Sequence, residues 1–290
     1  MTSHQNKTVQ SFDGARIAYR VFGAGEPTVL VSNGIGCNQA FVEPLIQALA
    51  ERHRVVLWDY RAHVDSPVPD DLSTLTVWHC LGDMEAVVAD LGLERMVLAG
   101  FSMGVQILLS YYERHPAQVL GLVALLGPAE YPLRGLMRVG RVLEPVLPAV
   151  AKTAGKSPRL FQKVWHTALS GPWTTQVAKH LVLNPDAVRW ASFESWRAHL
   201  ADFDVRAFLQ LAANLSRHSA AHVLPTVRVP TLVVAGERDN FTPLAALRRL
   251  RDGIPGAEYF EVKGASHAGL VEFPDEINAR VTGFMARHFG

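Results

Sequence analysis

Three residues far apart in the chain have the types and the local settings that acyl-transfer chemistry needs. Ser102 lies in Gly100-Phe101-Ser102-Met103-Gly104, between an apolar run and a segment with helical spacing. A serine hydroxyl is a weak nucleophile at neutral pH. It needs an adjacent base, and the carbonyl it attacks needs N–H donors for the developing oxyanion. A sharp strand-to-helix turn meets both needs, and its crowding demands small residues two positions away on each side. Asp239 follows the apolar run Thr231–Gly236, and His267 sits in the small-residue loop "GASHAG". A carboxylate that orients the imidazole and an imidazole that activates the hydroxyl complete such a site, and the order Ser102, Asp239, His267, with gaps of 137 and 28 residues, is the one expected where the serine sits on a strand-to-helix turn of an α/β sheet.

These side chains need a scaffold that brings them together. The runs "TVLVSN" (28–33), "RVVLWDY" (54–60), "RMVLAGF" (95–101), "GLVALLG" (121–127), "TLVVAGE" (231–237) and "AEYFEVKG" (257–264) read as strands. Most are apolar on both faces, as parallel strands covered by helices on two sides must be. Helical periods lie between them. Val77, Leu81, Met84, Val88 and Leu91 form one stripe, and Ile277, Val281 and Phe284 form another after Pro274. The segment "KTVQSFDGARIAYRVFGAGEP" (7–27) reads as two antiparallel strands turning at Asp13-Gly14. The expected fold is α/β, a mostly parallel eight-stranded sheet with helices on both faces. From about 131 to 225 the alternation stops. That stretch is predicted to be a helical lid inserted into a core formed by 1–130 and 226–290.

Composition narrows the function classes. The chain has 290 residues, 19% of them charged, with a formal net charge of +1, so no global field argues for nucleic acid. Cys37 and Cys80 are too few for a disulfide framework. The N-terminus lacks an apolar secretory region, and no apolar run approaches the length of a membrane span. The expected setting is cytoplasmic, with a small-molecule acyl substrate, no nucleic acid, no integral membrane segment and no metal or organic cofactor. Monomer and dimer are both left open.

With these motifs in view, "GFSMG", "LVVAGERDNFTP" and "GASHAGLVEFP" together resemble the α/β-hydrolase superfamily over essentially the whole length. The resemblance implies catalysis by Ser102, His267 and Asp239. It also implies an oxyanion hole from the backbone N–H groups of Met103 and of Ile35 in "SNGIGCN" (32–38). Asn33 and Gly34 stand where the family usually has His-Gly, and Asn33 is expected to hold the turn through its own hydrogen bonds. Phe101, with this loop, is expected at the substrate pocket. The family's Asp-x-Arg-Gly-x-Gly-x-Ser segment is "DYRAHVDS" (59–66) here, with Ala62 and Val64 replacing both glycines. A positive φ at β-branched Val64 would be costly, so this loop is expected to depart from the family geometry. The leading activity implied is hydrolysis of a carboxylic ester of a moderately apolar acid. Thioester or lactone hydrolysis, C–C bond hydrolysis, perhydrolysis and ligand sensing use the same residues and stay open. Ser102 in place of Asp disfavours epoxide hydrolase and dehalogenase chemistry.

Other constellations are weaker. His218 and His222 have i, i+4 spacing but no third ligand nearby, so a packed or surface pair is favoured over a metal site. Cys37 reads as a buried, inert thiol. From Tyr131 to Lys163 there are seven basic residues (Arg134, Arg138, Arg141, Lys152, Lys156, Arg159 and Lys163) against Glu144 alone. A solvated charged face is the favoured reading, ahead of a site for an anionic substrate tail or a membrane surface.

Overall fold

A computed structural model describes residues 4–131, 140–181 and 183–290. Arg134 and Arg138, with Leu133, Leu136 and Met137, lie outside these, as do the side chains of Arg141 and Glu144. Eight strands form one sheet: β1 (His4–Gln10), β2 (Arg16–Phe22), β3 (Val29–Ser32), β4 (Val55–Trp58), β5 (Met96–Phe101), β6 (Val119–Leu125), β7 (Thr231–Gly236) and β8 (Glu258–Val262). Their order is β1-β2-β4-β3-β5-β6-β7-β8. The β1–β2 hairpin is antiparallel and β2 meets β4 antiparallel, while all pairs from β4 to β8 are parallel. The hairpin turns at Gly14, which takes a φ of 85°, with Asp13 Oδ1 accepting from the Ala15 N–H at 3.1 Å.

Each parallel strand feeds two cores because its side chains alternate between faces. In β5, Met96 and Leu98 join one cluster, while Val97, Ala99 and Phe101 join the other. The first cluster is covered by α2 (Val77–Asp90) and α3 (Met103–Arg114), the second by α1 (Glu43–Ala50) and α11 (Pro274–Phe289). The stripe Val77, Leu81, Met84 and Val88 is buried, as its spacing requires. Between β6 and β7 lie α4 (Gly140–Lys156), α5 (Pro158–Ser170), α6 (Pro172–Leu181), α7 (Trp190–Asp202) and α8 (Val205–Leu215). Helix α9 (Leu244–Gly253) and the short α10 (Gly269–Glu272) complete the chain. Among the described residues no helix is long and apolar enough to cross a membrane.

The loop 59–66 corrects the expectation drawn from its missing glycines. Ala62 and Val64 both adopt positive φ, 68° and 47°, so the left-handed backbone persists without glycine. The surrounding bonds over-determine it. Arg20 grips Asp59 through two bonds of 3.0 and 2.8 Å and reaches Asp65 at 2.7 Å. The Ser66 hydroxyl donates to Asp59 O at 2.9 Å while accepting from Ala18 N–H at 2.9 Å. Such a backbone costs an L-residue about 1–2 kcal/mol, and Val64, at 41% exposure, returns little of that through packing. Val64→Gly is therefore expected to raise stability by about 1 kcal/mol, read as a higher urea midpoint at unchanged m. A lower midpoint would show that the Val64 side chain contributes more than its backbone costs.

Candidate active site

Ser102 occupies the turn between β5 and α3 with φ 53° and ψ −112°. This strained geometry follows from the close approach of the elements around it. A Cβ on Gly100 would lie 2.5 Å from Gly104 C and O. A Cβ on Gly104 would penetrate Ser32 O and lie 2.8 Å from Ser32 C. Both flanking glycines are thus required by backbone packed against backbone. The turn leaves the Ser102 hydroxyl partly accessible beside the α3 N-terminus, where free N–H groups and the helix dipole favour negative charge.

Two other strand ends bring the partners. His267 Nε2 lies 3.0 Å from Ser102 Oγ, and His267 Nδ1 lies 2.8 Å from Asp239 Oδ2. With Nδ1–H donating to the carboxylate, Nε2 is left to accept the serine proton. The Asp239 side chain is fully buried and saturated with donors: Phe241 N–H and Thr242 N–H at 2.8 Å each, and the Thr242 hydroxyl. The His267 ring is flanked by Phe101 and Phe241, with centroids 5.3 and 5.0 Å away. The structure therefore assembles the three residues singled out in the sequence into one continuous hydrogen-bonded chain.

The loop after β3 supplies the opposite wall. Asn33 holds the turn through both ends of its amide: Oδ1 accepts from Gly34 N–H and Nδ2 donates to Asn38 O, each at 2.9 Å. Ile35 and Met103 both border the pocket, and neither N–H donates to a protein acceptor among the described residues. Gly34 lies against the Phe101 ring, 3.0 Å from where a Cβ would be. The loop is anchored from β4 and the segment after it. Trp58 Nε1 donates to Ser32 Oγ at 3.0 Å, and Tyr60 donates to Asn33 O at 2.7 Å.

Four contributing residues escaped the sequence reading. His63 Nε2 accepts from Gly36 N–H at 2.9 Å, one residue past Ile35, and its Nδ1 faces Arg61 O at 3.2 Å. Tyr60 and Thr242 act as above. Buried Glu272 holds the loop before His267, accepting from Ser266 N–H at 2.7 Å and the Ser266 hydroxyl at 2.6 Å. It also accepts from Asn184 N–H at 2.7 Å, in the segment between α6 and α7. Burial raises its pKa, against the lowering effect of those donors. Only the Asp-x-x-Thr spacing of Asp239 and Thr242 left a local trace, as an Asx-type turn.

Burial pushes the His63 imidazole down from 6.5 to about 4, so it is neutral in the folded protein at ordinary pH. The unfolded chain takes up this proton below about pH 6.5 and the folded chain only near pH 4. Stability is therefore lost as pH falls through that window, by about 3 kcal/mol from this group. His63→Gln keeps an acceptor for Gly36 but does not titrate. Its urea midpoint is expected to fall less than that of the wild type between pH 6.5 and 4. Parallel declines would place the proton sensitivity elsewhere.

The pocket beside Ser102 encloses about 290 Å³. Its walls are apolar: Phe41 and Phe101 stack at 5.1 Å, Trp196 and Phe193 continue the aromatic side, and Leu200 and Phe208 close over Gly36. Among the described residues His267 is the one imidazole on it, and no Asp, Glu, Lys or Arg lines it. Cys37 is also on the wall, buried and reduced, and burial raises its thiol to about 12. His218 and His222 face different partners, Ser110 Oγ at 3.1 Å and Glu113 Oε1 at 2.7 Å. Among the described residues no group of three metal-ligating side chains occurs.

Sheet order and the strained strand–turn–helix at Ser102 define the class, an α/β architecture of the hydrolase kind. Residues 27–274 match the family model for the alpha/beta hydrolase fold, and the chain belongs to that family. A relative from Azorhizobium caulinodans named "Putative carbamate hydrolase RutD" is 29% identical over 278 residues, covering 93% of this chain and 95% of its own. A thermophilic esterase from Thermogutta terrifontis superposes with a TM-score of 0.78 at 18% identity, covering 99% of this chain and all of its own. The enol-lactonase from Burkholderia xenovorans LB400 gives 0.75 at 20%, covering 97% and 100%. At such identities the two structures speak for a shared fold.

Proposed function

We propose that the protein is a serine hydrolase that cleaves an uncharged carboxylic ester through an acyl-enzyme. The observation that carries this reading is the relay Ser102 Oγ–His267 Nε2 at 3.0 Å and His267 Nδ1–Asp239 Oδ2 at 2.8 Å. Ser102 Oγ attacks the acyl carbon as its proton passes to His267 Nε2, and Asp239 stabilises the imidazolium. The oxyanion takes the free N–H groups of Ile35 and Met103. His267 then gives its proton to the departing alkoxide, which leaves as the alcohol. Water attacks the acyl-enzyme, losing its proton to His267, and the acid departs as Ser102 regains that proton.

The apolar walls support an acyl group without charge, since an unpaired ion there would lose its hydration uncompensated. A volume of about 290 Å³, at the small end for ligand sites, supports short to medium chains. Helices from the segment 131–225 supply Trp196, Leu200 and Phe208 to that wall, which supports its role as a lid over a core formed by 1–130 and 226–290. Carbamate hydrolysis is the second reading, favoured by the name of the relative at 29% identity and disfavoured, for an anionic substrate, by the lack of a cation among the described residues that line the pocket.

A fluorophosphonate is expected to label Ser102. Across p-nitrophenyl esters, acyl thioesters, lactones and carbamates, the highest kcat/KM is expected for a short or medium neutral ester. Folded wild-type protein that resists the probe would remove the activated serine. A preference for carbamates would move the substrate to the second reading.

A further inference from the structure

Between Glu144 and Asp186 the chain runs without an acidic residue while carrying Lys152, Lys156, Arg159, Lys163 and Lys179. Of 28 basic and 27 acidic residues, the remainder of the chain keeps 23 and 27, a net of −4. Positive charge is thus concentrated on α4, α5 and α6. Lys152, Lys156, Arg159 and Lys163 are exposed, and none has an ion-pair partner among the described residues. The salt bridges around them use other side chains, such as His166–Asp202 and Arg197–Glu194.

The same helices expose apolar side chains. Helix α5 is pinned inward: Trp165 Nε1 donates to Leu200 O at 2.7 Å, and Gln162 bridges Phe203 O and Val205 N–H at 3.0 Å each. Its outward face therefore carries Arg159 and Lys163 beside Leu160 and Val164, each pair at i, i+4, with the two aliphatic residues 61% and 60% exposed. On α6, Trp173 and Val177 repeat the spacing in the open, and Val146 does so singly on α4. A helix facing only water carries polar residues on its outer side. Apolar residues with Trp, flanked by Lys and Arg, suit a helix lying in a membrane interface.

We propose that the outer face of α4–α6 docks on the surface of an anionic lipid bilayer. Its aliphatic and indole side chains would enter the boundary between headgroups and acyl chains. The cations stand in successive pairs, 152/156 and 159/163, on consecutive helices. Cations interleaved with exposed Leu160, Val164, Trp173 and Val177 suit a surface that offers many single charges above an apolar layer, whereas the phosphates of one soluble ligand would leave those apolar side chains in water. The proposal concerns surface attachment alone and does not depend on the ester-hydrolase reading.

The test is co-sedimentation of the full chain with vesicles of phosphatidylcholine and of equimolar phosphatidylcholine and phosphatidylglycerol. Binding is expected to be at least tenfold stronger to the anionic vesicles and to weaken as salt rises. A variant carrying Lys152→Glu, Lys156→Glu, Arg159→Glu and Lys163→Glu is expected to lose at least tenfold. Leu160→Ser with Val164→Ser is expected to weaken binding at low salt as well. Unchanged thermal midpoints identify both variants as folded. If either unfolds, single substitutions at the same positions are read in its place, with proportionately smaller losses. Equal binding to both vesicle types, or charge reversal without effect, overturns the proposal. Charge-dependent binding of free acyl-coenzyme A without vesicle binding overturns it too, as does a dimer that dissolves on charge reversal while vesicles are ignored.

Discussion

Ser102→Ala is expected to lower kcat/KM for the best ester by roughly 10⁴–10⁶-fold and to abolish fluorophosphonate labelling. The size follows from the relay acting as a unit. Without Oγ, His267 has no nucleophile to activate, and only pocket and oxyanion donors remain. Those alone still give some acceleration over water, so a residue of activity is expected. Asp239→Asn tests the far end of the relay. Its amide presents one acceptor oxygen where the carboxylate now takes Phe241 N–H, Thr242 N–H, the Thr242 hydroxyl and His267 Nδ1. The imidazole then favours the tautomer that cannot accept from Ser102, and a fall of roughly 10⁴-fold is expected. Steady-state kinetics on purified, folded variants decide both. Near-wild-type turnover by Ser102→Ala would mean that chemistry occurs elsewhere.

The largest expected loss of stability comes from a single methyl group. Gly104→Ala is expected to cost more than about 4 kcal/mol and to leave little folded protein. Its Cβ would enter Ser32 O, with Ser32 C at 2.8 Å and Asn33 O at 3.1 Å. All three atoms are backbone at the carboxyl end of β3, and no rotamer change relieves them. Moving β3 would break its parallel pairing with β4 and β5 and shift the Asn33–Gly36 loop. Urea unfolding, or soluble yield where the variant does not fold, reads the effect. A loss below about 1 kcal/mol would show that the turn relaxes more easily than close packing implies.

Much of this was legible because it is encoded by local repetition. The doubly apolar runs required strands buried on both faces, and β3 to β7 are such strands, while β8 at the sheet edge is mostly half-buried. The five-residue motif around Ser102 marked its turn, because only glycine fits two positions either side of a serine there. The loop 59–66 misled. Missing glycines argued against positive φ, yet Arg20, from a different strand, clamps Asp59 and Asp65 and holds Ala62 and Val64 in that conformation. No local pattern at 59–66 could reveal a tether from residue 20.

What the sequence determined by itself is therefore the set of strands and helices, their alternation, and the three side chains that its motifs set apart. Periodicity and steric demands on small residues are properties of neighbours in the chain, so they can be read along it. The tertiary structure alone decided that His267 meets both Ser102 and Asp239, and that His63, Tyr60, Thr242 and Glu272 hold the loops around them. It also decided that the pocket is walled by Trp196, Leu200 and Phe208. These contacts depend on distance and angle between elements separated by as many as 165 residues, and packing of the whole sheet and its helices sets both.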